Sequence, residues 1–427
     1  MLTTTTQVKE KVNLGQPPAL TNHNAYVNVP AYYTKLLMIP QRENQTVRPS
    51  WTGGVMKKLL CFILALGLMA GVAWADIITI PVVSPFTGQL ASFGEGVKNG
   101  AALKASEINA AGGINGHKVK VILEDDGCDP SEAVSVATKL AKDPEVVVVV
   151  GHLCSSATLA ALPIYREAKL PAISPASTNA AIGMMSPYYF RNIYRDDFQG
   201  TFLARYVDEV KGFKRIAIFY EVNDYSLGLM SSFMKEAVRR GIKILGTEPY
   251  TSDTTDFKPQ LIKFKMMRPD AIFNPGYAPQ GTLIASQAAS LGLKVKLFGA
   301  DGLDDDLMLQ NPDAEGLFVT TPFLADKAGP QAAQFIESYK RVFGKEPNWL
   351  AANTYDAVGM AAEAIKAVGL DREGIRDYLA GIDSPDKAYA GVAGKTYFDE
   401  NGDCLKPAYI KEIKDGKWIS AEEQLQQ

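Results

Sequence analysis

Residues 145–158 read EVVVVVGHLCSSAT. Five consecutive β-branched residues leave no polar face on an extended chain. Such a strand belongs in a parallel sheet covered by helices on both sides. The residues after it lie at the strand's carboxyl end, where open α/β sheets place their ligands. Ser155 and Ser156 stand there, where a helix begins ahead of ATLAALPIYREA. Two compatible roles fit a serine at such a point. It can cap the helix, or its hydroxyl and the free amides of the first turn can face a carboxylate or phosphate.

The same strand-then-helix pattern fills the chain from Asp76 onward. IITIPVV, KVKVILE and the valine run read as strands, separated by GEGVKNGAALKASEINA and by a helix opened at Asp129-Pro130-Ser131-Glu132. That tetrad is a capping box with proline in the first turn. The pattern restarts near Tyr194–Phe198. RIAIFYE, KILGTEP, DAIFNPG, VKLFGA and GLFVTTP are the next strands, with helical segments between the earlier ones. AAQFIESYKRVFG and LAANTYDAVGMAAEAIKAVG are strong late helices, and KTYFDENGD suits a hairpin or a crossover. Alternation that runs twice predicts an α/β chain of two doubly wound parallel-sheet lobes, not one very wide sheet.

Met56 to Ala75, MKKLLCFILALGLMAGVAWA, has two lysines, an uncharged apolar run and Ala73-Trp74-Ala75 before Asp76. This is the layout of a secretory signal peptide cleaved near Ala75/Asp76. Its apolar run is shorter than the ~20 residues of a membrane-spanning helix. Residues 1–55 carry no sustained period, and Met56 is the expected true start. Export removes Cys61 and leaves Cys128, Cys154 and Cys404 in an oxidising compartment, where one pair is expected to bridge with one cysteine left over. Cys128 and Cys154 both come after strands that can be neighbours, within reach of a disulfide.

Composition excludes several functions. A net charge of −3 gives no footprint for nucleic acid. Three histidines, His23, His117 and His152, make no cluster with the cysteines, which leaves little material for zinc or a histidine-based triad. The segments after the strands are SPFTGQLASF, DDGCDP, GHLCSS, SPAST, EVNDYS, NPGYAPQ, GADGLDDD and TTPF. They hold hydroxyls, aromatics and one acidic cluster, and almost no basic residue. The glycine-rich nucleotide and phosphate motifs are missing, as is a nucleophile elbow. Asp301 with Asp304-Asp305-Asp306 lacks the alternating spacing of a calcium loop. The set suits a small zwitterion with an apolar body, and no cofactor or metal is expected.

With these motifs in view, the chain from 76 to 427 resembles the periplasmic leucine/isoleucine/valine-binding proteins, type I solute-binding components of amino-acid ABC importers. DDGCDP with GHLCSS, INAAGGINGHKV, SPAST and the NTYDAV helix carry the likeness. The resemblance implies a Cys128–Cys154 disulfide. It assigns the ligand's carboxylate and ammonium to Ser155 and Thr178, with the backbone of Ala176 helping, and the ammonium also to Asp301, where leucine binders carry glutamate. It makes Tyr225 and Tyr277 the second lobe's closing residues, with Phe93 standing where the leucine binder has tyrosine. Trp349 and Leu350 fall at an aromatic pocket wall. It implies lobes of 76–196 with 324–396 and 197–323 with 397–427, joined by crossovers near 196, 323 and 397. The implied partners are a branched-chain or other apolar amino acid and a membrane permease, with no second copy of the chain. An amine-free carboxylate or amide ligand, an extracellular sensor and an exported hydrolase are the alternatives.

Overall fold

The structure, a computed structural model, describes residues 77–425 except residue 328. The expected signal peptide at 56–75, the 55 residues before it and Cys61 lie outside the described residues.

The first half runs β1 (Ile78–Ser84), α1 (Ala91–Ala110), β2 (Val119–Asp125), α2 (Pro130–Lys142), β3 (Val149–Val150), α3 (Ser155–Glu167), β4 (Ala172–Ser174) and β5 (Tyr189–Arg191). These strands form one sheet of order β2-β1-β3-β4-β5, parallel at every pairing. The valine run is buried from Val146 to Val150, as its composition requires, yet only its last two residues join the ladder. β1 meets it at Val82 and Val150 alone, while the Val146 carbonyl is taken by the Arg372 guanidinium at 2.9 Å. At the start of α2, Asp129 accepts from the amides of Ser131 at 2.7 Å and Glu132 at 3.1 Å, so that capping signal is realised.

The second half runs α4 (Asp196–Glu209), β6 (Arg215–Glu221), α5 (Asp224–Arg239), β7 (Lys243–Tyr250), α6 (Lys258–Met267), β8 (Ala271–Asn274), α7 (Ala278–Ser290), β9 (Lys296–Gly299) and β10 (Phe318–Thr321). Next come α8 (Pro330–Phe343), α9 (Trp349–Val368), α10 (Arg372–Ala380), a hairpin of β11 (Tyr389–Gly391) and β12 (Gly394–Thr396), then β13 (Tyr409–Lys414) and β14 (Lys417–Ser420). The second sheet has the order β14-β13-β10-β9-β8-β6-β7. Its β6 to β10 pairings are parallel, and the β13–β14 hairpin adds antiparallel at one edge.

Helix α9 lies against α1 and against β3 and β4, so the chain returns to the first sheet after Thr321. Burial of every residue from Trp349 to Ala362 makes the first part of α9 an interior helix. Its closeness to α1 depends on Gly100, where a Cβ would stand 2.2 Å from the Ala351 carbonyl oxygen. Helices α4 and α5 meet in the same way at Gly200, where a Cβ would stand 2.7 Å from the Phe233 amide. Chain therefore passes between the two halves after Arg191, after Thr321 and after Thr396, and the carboxyl ends of both sheets meet at one cleft.

Candidate functional site

Ser155 is the first residue of α3, and the residue in the N-cap position is Cys154. The Ser155 hydroxyl oxygen accepts from the Asn179 amide at 3.2 Å, which leaves its proton to donate elsewhere. Cys154 is joined to Cys128, with Cα atoms 5.5 Å apart, and Cys404 is a buried free thiol. The disulfide ties the turn after β2 to the start of α3 and so holds Ser155 in place.

His152 belongs to the scaffold. Its Nδ1 meets Asp126 at 2.7 Å and its Nε2 meets the Tyr165 hydroxyl at 2.9 Å, both fully buried. The His152 carbonyl accepts from the Ser174 hydroxyl at 2.7 Å, and that hydroxyl in turn accepts from the amides of Ala176 and Ser177. SPAST is thereby folded onto GHLCSS. The Ala176 amide is committed to Ser174, so its carbonyl is the group left for a ligand.

From the second half, Asp301 opens the turn after β9 and is 2% exposed. One of its oxygens accepts from the Tyr225 hydroxyl at 2.6 Å and from the Gln199 side-chain amide at 2.9 Å. Burial pushes the Asp301 carboxyl up to about 6 against those hydrogen bonds. The Tyr225 hydroxyl also accepts from the Gly302 amide at 3.0 Å. The Tyr225 ring stacks on Tyr277 at 5.2 Å, and Tyr277 meets the edge of Phe93 at 6.1 Å.

One cavity collects Phe93, Leu153, Ser155, Ala176, Tyr225, Tyr277, Asp301, Gly302 and Trp349. Of the site residues expected from sequence, all but Thr178 and Leu350 line it; Leu350, next to Trp349 on α9, is buried in the core instead. Thr178 is buried one step behind, its carbonyl accepting from the Asp196 amide at 2.9 Å. Leu153 and Gly302 are additions that the motif boundaries around 153 and 302 already contained. The cavity has room for about 20 Å³ of water centres, enough for one water molecule and far below a ligand pocket of ~300 Å³ or more. The two halves are clasped over it. Trp349 donates from its indole nitrogen to the Asp304 carbonyl at 3.2 Å, Ser156 to the Asp224 carboxylate at 2.6 Å, and Asn179 to the Asp224 carbonyl at 2.7 Å.

Sequence reading missed Asp196 and Gln199, both on the first turn of α4. Gln199 donates to Asp301, Thr320 and Tyr194. Asp196 is 1% exposed, and neither carboxylate oxygen has a close, well-aligned hydrogen-bond partner among the described residues. Burial raises its pKa well above the usual carboxylate range, and the field of Asp301 adds to this, while Thr178 and Arg191 oppose it. Two buried carboxyls, one at the crossing between the halves and one in the second, therefore share a neighbourhood in which each disfavours ionisation of the other. The signal available in sequence was only Asp196-Asp197 at a helix start, which reads equally well as complementing the helix dipole.

The chain matches the family model described as periplasmic binding protein over residues 77–417. It is 30% identical to the leucine-, isoleucine-, valine-, threonine-, and alanine-binding protein of Pseudomonas aeruginosa, over 77% of this chain and 87% of that one. It is 31% identical to the leucine-specific-binding protein of Salmonella typhimurium, over 81% of this chain and 93% of that one. Among solved structures, the branched-chain amino acid transporter substrate binding protein LivJ of Streptococcus pneumoniae, in complex with isoleucine, aligns with a TM-score of 0.76. The identity is 31%, over 82% of this chain and 99% of that one. Members of this family are binding proteins of the periplasm, and the two parallel-sheet lobes are their type I fold. With the family match spanning both sheets and the cleft between them, the chain belongs to the periplasmic binding protein family, beside the leucine/isoleucine/valine-binding proteins.

Proposed function

We propose that the chain is the substrate-binding component of an ABC importer, and that it closes its two lobes over a branched-chain or other apolar α-amino acid. The observation that carries this reading is the polarity of the cavity between the lobes. A helix N-terminus with a free hydroxyl proton, Ser155, faces it from the first lobe, and a buried carboxylate, Asp301, faces it from the second. A carboxylate suits the first end and an ammonium the second. Phe93, Leu153, Tyr277 and Trp349 supply an apolar wall for the side chain. Asp196 adds a second buried carboxyl near that of Asp301. The named amino-acid ligands of the relatives support the same class.

The lobes in this reading are 76–196 with 324–396 and 197–323 with 397–427, hinged near 196, 323 and 397. Hinge closure of this kind is a known behaviour of periplasmic binding proteins. The closed, monomeric protein is what a membrane permease recognises, after export through the signal peptide and cleavage near Ala75/Asp76.

Calorimetry with leucine and with 4-methylpentanoate, its amine-free counterpart, on the wild type and on Asp301→Asn tests the assignment as a double cycle. Removing one member of a closed-cleft ion pair costs ~2–5 kcal/mol, roughly thirtyfold to several-thousandfold in Kd. That loss is expected for leucine and not for 4-methylpentanoate. Equal losses for both ligands would remove the amino-acid reading.

A further inference from the structure

A second cavity of about 580 Å³ opens between the lobes beside the first, and Tyr277 lines both. Three carboxylates border it, Asp129, Glu221 and Asp224, and no lysine, arginine or histidine among the described residues does. Two of the three are committed. Asp129 caps α2, and Asp224 accepts from Ser156. Glu221 is different. It ends β6, is 6% exposed, and its Oε2 has no hydrogen-bond partner among the described residues. A buried carboxylate oxygen left unpaired is costly unless something arrives to meet it. Gln280 closes the far side by donating to Gln89 across the lobes at 3.0 Å, so this space, like the first, is shaped by closure.

From this we infer that the cleft carries an acidic annex, centred on Glu221, which takes the distal cationic group of an extended α-amino acid whose head group lies at Ser155 and Asp301. The inference rests on the amino-acid reading of the neighbouring site and extends its ligand class from apolar to basic side chains. The volume suits a chain of that length. Burial pushes the Glu221 carboxyl up to about 7, opposed by the Asn223 side chain and the Tyr277 amide. Tyr250 and Tyr277 are the titratable groups that face it, and both are held neutral by burial. A cation at the annex favours the charged carboxylate.

The test is calorimetry with leucine, arginine and citrulline on the wild type and on Glu221→Gln. Citrulline has the shape of arginine with an uncharged urea at its end. Arginine is expected to bind the wild type at least tenfold more tightly than citrulline, and E221Q to abolish that preference. Leucine affinity should stay within about twofold in the variant, and the ligand-free variant should melt no lower than the wild type, because an isosteric change removes a buried charge. The arginine-to-citrulline ratio in the wild type alone decides the matter should E221Q fail to fold. Arginine and citrulline binding equally, or leucine binding while arginine does not, overturns the annex and leaves the amino-acid site standing. Failure of leucine as well takes down both.

Discussion

At the scale of single residues, Ser155 shows how a motif and its chemistry separate. A serine at a helix start is expected to cap, yet Cys154 holds the cap position, and Ser155 instead accepts from Asn179 on the neighbouring SPAST loop. Its hydroxyl thus has a structural duty on one side and a free proton on the other. Ser155→Ala removes both. The orphaned Asn179 amide costs about 1 kcal/mol, a melting shift of roughly 2 °C for a chain of this size. A hydrogen bond to a charged carboxylate is worth ~1.5–3 kcal/mol, about tenfold to 150-fold in Kd. Leucine titration alongside a thermal melt separates the two duties. A lowered melting temperature with unchanged affinity would leave Ser155 a loop tie and move the carboxylate elsewhere.

At the scale of elements, the disulfide between the turns after β2 and β3 fastens α3 at the cleft. Its loop spans a sequence separation of 26, which in the chain-entropy model corresponds to about 3.5 kcal/mol of stability. The double variant Cys128→Ser, Cys154→Ser is expected to lose about that much in urea denaturation and to bind leucine more weakly, because Ser155 comes directly after the staple. Loss of stability with no change in affinity would mean that α3 is held by its packing alone. Elements of this kind were legible where a local rule speaks alone: the capping box at Asp129, the buried valines, and the alternation that separates two sheets. The Asp415-Gly416 turn of the β13–β14 hairpin was equally legible, with both residues at positive φ and strands on either side. Reading for strand-to-helix alternation passes over such an antiparallel addition. The contribution of Asp196 lay beyond any local rule, since its meaning comes from Asp301, brought near it by the second sheet. The Arg372 contact to the Val146 carbonyl was equally remote, since it comes from a distant helix.

For the whole molecule, three carboxyls at or beside the cleft, Asp196, Glu221 and Asp301, are buried together in the clasped form. In the closed form burial raises Asp301 to about 6 and Glu221 to about 7, and it raises Asp196 as well. We expect water to reach these groups when the lobes part, and their pKa values to return toward the ordinary ~4 of a carboxyl. A group whose pKa is higher in one form binds protons on passing into it, so closing takes up protons between about pH 4 and pH 7. Acid therefore favours the closed ligand-free protein, and neutral pH favours the open one. Asp301 alone shifts the ratio about tenfold between pH 7.5 and pH 5, and Glu221 and Asp196 act in the same direction. In the proposed amino-acid complex, the ligand's ammonium does at neutral pH what protons do in acid, since it meets the carboxyls of Asp301 and Asp196. Small-angle X-ray scattering reads this directly. The radius of gyration of the ligand-free protein should fall from pH 7.5 to pH 5, and saturating leucine at pH 7.5 should produce the same contraction. The pair Asp301→Asn, Glu221→Gln should contract without ligand at pH 7.5 and lose most of its pH response. A ligand-free radius that stays constant across this range, in protein whose melt shows it folded at both ends, would detach closure from these carboxyls.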